Sequence, residues 1–132
     1  MCIRDRLRAE DVRAIDPELV EWGSHTASHG FIDRLPEHEV VREVEGSRRR
    51  LEAVTGADVR LLAYPNGHHG GGAERAAEKA GYESALTVDE AFVTPRSPRF
   101  AVPRFDVGGH PTRMLKLEAT GLLGALRRAR SS

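Results

Sequence analysis

Residues 36–67 read PEHEVVREVEGSRRRLEAVTGADVRLLAYPNG, an amphipathic stretch that runs into a short apolar one and then into a sharp turn. Val40, Val44, Leu51 and Val54 fall on one helical stripe, and Ser47 occupies the remaining place in it. Pro36 suits the first helical turn and Gly56 the left-handed cap just past the end, so the spacing predicts a helix over 36–55. VRLLAY, residues 59–64, is short and apolar enough for a buried strand, and Pro65, Asn66 and Gly67 stop it.

The same alternation continues on both sides. Upstream, LRAEDVRAID predicts a short helix anchored by Leu7 and Ile15 and closed before Pro17, and LVEW at 19–22 reads as a strand. Downstream, AERAAEKA at 73–80 is a helix capped by Gly81, YESALTV at 82–88 a strand, and FAVPRFDV at 100–107 a strand interrupted at Pro103. Residues 111–130 carry Leu115, Leu122, Leu123 and Leu126 among charges, a helical pattern unless Gly121 and Gly124 break it. Strand alternating with helix is the signature of an α/β fold with parallel strands. The opening MCIRDR has neither pattern and resembles translated sequencing-adaptor sequence, so residues 1–6 are set apart from a domain over 7–132.

Composition narrows the function. Twenty Lys+Arg balance twenty Asp+Glu, which removes the basic excess that nucleic-acid binders use to displace counterions. Eighteen of the twenty cations are Arg, read as a compositional bias rather than a phosphate-binding device. No apolar run approaches the roughly 18–20 residues of a membrane-spanning helix. One cysteine, Cys2, forms no internal disulfide. With 39% hydrophobic and 5% aromatic residues, the core must be built from Leu, Val, Ala and Ile, and stability is expected to be marginal.

In parallel α/β folds reactive groups gather at the carboxyl ends of strands. Two such ends are chemically unusual here. EWGSHTASH, 21–29, places His25 and His29 four apart, a spacing that on one helical turn brings two imidazoles to one metal ion; the plainer reading is a polar turn with two exposed histidines. Thr26 stands where a zincin helix would need its Glu, and a catalytic zinc usually takes a third protein ligand, which must come from elsewhere. At LLAYPNG, 61–67, backbone N–H groups near Asn66 and Gly67 are placed to hold an oxyanion, or simply to close a proline-started turn.

Together these segments resemble the polysaccharide deacetylases of carbohydrate esterase family 4, the NodB homology domain. GSHTASH is similar to the family's two-histidine stretch, and the order that follows also matches: Ile32, Leu35, a helix with Glu43, AVTG at 53–56, the strand ending in a proline turn, and AEKAGYESALTV. The resemblance covers about residues 7–107. It implies a distorted (β/α) barrel lacking its first strands, and metal-dependent deacetylation of an N- or O-acetylated polysaccharide, a hydrolase acting on carbon–nitrogen bonds other than peptide bonds. By the same resemblance His25 and His29 are ligands of a divalent metal, Zn2+ or else Co2+ or Ni2+. Tyr64, Pro65, Asn66 and Gly67 line the acetyl site, in a YPNG form similar to a branch linked to exopolysaccharide loci; Asn66 replaces the usual tyrosine and Ala63 a common arginine. Arg104 in VPRF resembles an arginine that orients the catalytic aspartate, and a surface strand residue is the plain alternative.

The chain departs from the family pattern in two places. Members open with a Thr-Phe-Asp-Asp-Gly strand, whose aspartates serve as base and third ligand, and this sequence has no such pair. The late Leu-x-His motif of the general acid is not recognisable; His110 lies in that part of the chain with different neighbours, and a loop histidine is the alternative. His68 and His69, beside a glycine run, could reach a site or belong to a polar loop. The expectation is therefore a partial domain, inactive as it stands and with an exposed strand edge that favours aggregation. For the intact protein the resemblance implies a cell-envelope or secreted setting and an acetylated polysaccharide partner; the balanced charge speaks against nucleic acid, and the given residues hold no membrane-spanning segment. The alternatives are a non-catalytic deacetylase-like protein that binds metal or glycan, and a structural module in which the histidine pair is incidental.

Overall fold

The stripe on 36–55 decides how the chain packs. In this computed structural model, which describes residues 8–15 and 18–105, helix α2 spans Glu37–Thr55 with Val40, Val44 and Ser47 buried and Leu51 packed partly against the core. Pro36 is the N-cap residue rather than the first helical one, and Gly56 takes φ 71° as the left-handed cap. Helix α1 is Ala9–Ala14, short of the 7–16 reading, and ends at an extended Ile15. Cys2, His110 and the helix expected over 111–130 lie outside the described residues.

Strands β1 (Gly23–Ser24), β2 (Leu61–Ala63) and β3 (Ser84–Leu86) form a parallel sheet in the order β1-β2-β3. Val102 adds a parallel bridge to Leu86, so FAVPRFDV contributes one pairing rather than a full strand. Helix α3, Gly71–Lys79, begins two residues before AERAAEKA, and Gly81 follows it at φ 84°. The strand expected at LVEW lies further on, at Gly23–Ser24: Leu19 is in a turn and 81% exposed, so its apolar character buys no burial there.

Strand order that follows chain order, with a helix between each parallel pair, is the progression of a (β/α) barrel rather than of a doubly wound sheet. Helices α2 and α3 pack on each other and on the strands. Ser24, Leu62 and Ala85 stand in register across the sheet and are buried with Val44, Val59, Ala73 and Ala77. The opposite face, with Leu61, Ala63, Ser84 and Leu86, is only half-buried. In a closed barrel that face lines the interior.

A small polar network locks β1 to α2 inside this core. Ser47 Oγ and Tyr82 OH both donate to the carbonyl of Val44, at 2.9 and 3.0 Å, and with its hydrogen so used Ser47 accepts from Ser24 Oγ at 2.7 Å. Burial holds the Tyr82 hydroxyl above its ordinary pKa, against the opposing pull of Ser24 and Ser47, so it remains a donor. The polar break in the apolar stripe thus has its partners, as a buried hydroxyl requires.

Candidate active site

Because the strands are parallel, the segments after Ser24, Ala63, Leu86 and Val102 all leave at one end of the sheet. The first carries His25 and His29. They do not sit on a helical turn: 25–31 is irregular, and Thr26 and His29 both take left-handed backbone, φ 63° and 61°. For a β-branched threonine this is a conformational outlier that its surroundings must hold in place. Those surroundings are visible. Glu43 on α2 uses one carboxylate oxygen to accept from the N–H groups of Ala27 and Ser28, at 2.9 and 2.8 Å, and Thr26 Oγ1 accepts from His29 N–H at 3.2 Å.

The loop so pinned brings the two imidazoles edge to face, centroids 4.8 Å apart and planes at 72°. His25 Nδ1 lies 2.7 Å from the carbonyl oxygen of Ala63 at the end of β2. A carbonyl only accepts, so Nδ1 carries the hydrogen, which makes Nε2 the nitrogen that a neutral ring offers to a metal. Both rings are exposed. Among the described residues no group of three or more His, Cys, Asp or Glu converges on one point, so the histidine pair supplies two donors and no third.

The turn after β2 stands beside this loop. Tyr64 is wholly buried, its hydroxyl donating to the Phe100 carbonyl at 3.0 Å, and burial raises its pKa strongly with a smaller contribution from Glu74. Its side chain belongs to the core and positions the turn from below. Pro65 is buried, Asn66 is exposed at φ 53°, and Gly67 takes φ 71° against Val88. A Cβ on Gly67 would stand 2.3 Å from Val88 Cγ2, so only glycine fits that approach. Gly67 N–H closes the turn on the Tyr64 carbonyl at 3.0 Å, and His68 N–H bonds to Pro65 at 3.2 Å. The N–H of Asn66 has no acceptor among the described residues and is the donor left for an incoming oxygen.

Arg104 reaches the same end of the sheet: its Nε donates to the Thr87 carbonyl at 2.8 Å and its own N–H to Asp89 at 3.0 Å. His69 stacks on Tyr64, centroids 5.4 Å and planes 15° apart, and its Nδ1 lies 3.0 Å from the Gly67 carbonyl, so it braces the turn. His68 points to Asp33, 3.6 Å away. The clamp by Glu43 and the Ser24–Ser47–Tyr82 network escaped sequence reasoning; their one legible trace is that Glu43 and Ser47 both sit on or beside the apolar stripe of α2.

The polysaccharide deacetylase family model matches residues 5–85. None of the curated proteins compared with the chain matches it. Among solved structures, the chain is similar to the Streptococcus pyogenes deacetylase PplD in complex with acetate, at TM-score 0.75 and 16% identity, over 86% of this chain and 51% of that one. It is also similar to a polysaccharide deacetylase from Bacillus cereus, at TM-score 0.76 and 22% identity, over 88% of this chain and 37% of that one. A CE4 family pseudoenzyme from Bacillus anthracis aligns at TM-score 0.54 and 22% identity, over 58% of this chain and 27% of that one. The chain thus spans about half or less of the length of these structures, and at such identities the likeness speaks to the fold, which is the NodB-like α/β barrel expected from the sequence. Among the described residues no helix is long and apolar enough to cross a membrane. With more than half of its residues matched by the family model, the chain belongs to the polysaccharide deacetylase family.

Proposed function

We propose that this chain forms part of a metal-dependent deacetylase of an N- or O-acetylated polysaccharide, with His25 and His29 holding a divalent ion, Zn2+ or else Co2+ or Ni2+. The observation that carries the reading is the paired imidazoles, one with Nδ1 committed to the Ala63 carbonyl so that Nε2 is the nitrogen available to an ion. A neutral, oriented imidazole is the form a divalent ion takes, and its hydrogen-bonded second nitrogen fixes that form. A bound ion of this kind lowers the pKa of its water towards about 7 and polarises an acetyl carbonyl.

The chain's own residues then divide the remaining work. Glu43 holds the histidine loop in its left-handed conformation. The Asn66 N–H is the donor offered to the oxyanion of the tetrahedral intermediate, a bond that strengthens as charge builds on that oxygen. Buried Tyr64 and Pro65, with Gly67 against Val88, keep the turn from moving. Arg104 is anchored at the end of β3, where it orients a carboxylate supplied from elsewhere, and His110 is the residue assigned to protonating the leaving group.

In the intact protein of which this chain forms part, His25→Ala and His29→Ala are each expected to abolish metal retention after dialysis, read by elemental analysis, and acetate release from acetylated oligosaccharides. Unchanged metal content and turnover in both variants would overturn the reading. A second reading, a deacetylase-like protein that binds metal or glycan without turnover, draws on Asn66 in place of the family's tyrosine and on the fold shared with a pseudoenzyme. It predicts metal retention and no acetate release from the intact wild-type protein.

A further inference from the structure

Each of the two segments that build the candidate site continues into an aromatic ring, and the two rings meet. Phe31 comes two residues after His29, and His68 two residues after Asn66, so each lies within about 7 Å of chain from the site. Their centroids are 5.4 Å apart with the planes at 67°. Phe31 is 44% exposed, although an apolar ring gains nothing from standing in water. Polar groups surround it: Arg34 places its guanidinium 4.7 Å over the ring centroid, and the Asp33 carboxylate faces His68 Nδ1 at 3.6 Å, both of these side chains being part-exposed. From Asp33 a groove of about 290 Å³ runs on past His69, Gly70 and Gly72 to Arg75.

We propose that Phe31, with Asp33, Arg34 and His68, is a sugar subsite that takes a pyranose ring of the glycan chain next to the unit carrying the reacting acetyl group. The inference rests on the deacetylase reading and deepens it by locating where the polymer lies. A pyranose presents a face of polarised C–H bonds that suits the negative face of an aromatic ring, and a rim of hydroxyls that donate to carboxylates and accept from guanidinium and imidazole. The cluster offers one ring, one carboxylate and two nitrogen donors in that arrangement. The other exposed aromatic ring among the described residues, Phe92, packs edge to face on Phe105 and has no cation over it.

The test is titration calorimetry of the full chain with a β-1,4-linked N-acetylglucosamine hexamer, with zinc content measured on the same samples. Phe31→Ala is expected to weaken binding about five- to tenfold, Asp33→Asn to weaken it less, and Phe31→Trp to restore or improve it, all three with wild-type zinc content. Circular dichroism melts of each variant identify any loss of fold, and the tryptophan variant keeps the ring in place if the alanine variant unfolds. Equal affinity in wild type and Phe31→Ala, or no binding by the wild type, overturns the subsite and leaves the metal site standing. Loss of zinc retention in the wild type would instead strike the deacetylase reading itself.

Discussion

At the scale of single residues, the site depends on three backbone conformations that side chains rarely adopt. Thr26, His29 and Asn66 all have φ between 53° and 63°, and Gly67 adds a fourth left-handed position at 71°. Asn and Gly advertise such conformations in a sequence; Thr and His do not, which is why the two-histidine segment reads as one turn of helix until the fold is known. Gly67→Ala brings a Cβ against both the side chain and the backbone nitrogen of Val88. The expected cost is roughly 1–3 kcal/mol, with the turn displaced from the histidines, and urea denaturation of the variant measures it. Leu62, wholly buried at the centre of the sheet, is the complementary case, and truncation to alanine should cost about 2–5 kcal/mol in the same experiment.

At the scale of elements, helix α2 does two jobs with one surface. Its stripe of Val40, Val44 and Ser47 packs on the sheet, and one turn along the same flank Glu43 holds the loop between the two histidines. The stripe was legible because helical period and apolar spacing are local. The clamp was not, because its partners are backbone N–H groups 15 and 16 residues away, and nothing in the identity of Ala27 or Ser28 signals them. Glu43→Ala leaves those N–H groups to water and frees the strained loop. On the proposed metal reading, zinc affinity, measured by competition with a chromophoric chelator, is expected to fall about 10- to 100-fold, the usual penalty for losing a group that orients metal ligands. Glu43→Gln, which keeps an acceptor oxygen, should lie between wild type and alanine.

At the scale of the whole molecule, both tyrosines of the chain are buried, and both have pKa values raised chiefly by that burial. A phenol whose folded pKa lies above its unfolded value of about 10 keeps its proton when the unfolded chain has lost it. Folding then binds more protons than unfolding above that pH. Stability from this source is therefore intact below about pH 10 and is lost as pH climbs through the raised folded values. Thermal melts should show a steep fall above pH 10 that is shallower in Tyr64→Phe, and phenolate absorbance should stay low near pH 10.5 until denaturant is added. The alternation of elements, the C-terminal bound of α2, the left-handed caps at Gly56 and Gly81 and the end of β2 at its proline turn could all be read directly, since each follows from periodicity or from the backbone freedom of neighbouring residues. What only the tertiary structure decided was contact between residues far apart in the chain: that the strand lies at Gly23–Ser24 and not at LVEW, that His25 is aimed by Ala63, that Tyr64 turns inward while the Asn66 N–H finds no acceptor among the described residues, and that Phe31 meets His68. Such pairings cost loop entropy and are selected by packing across the sheet, which local sequence does not encode.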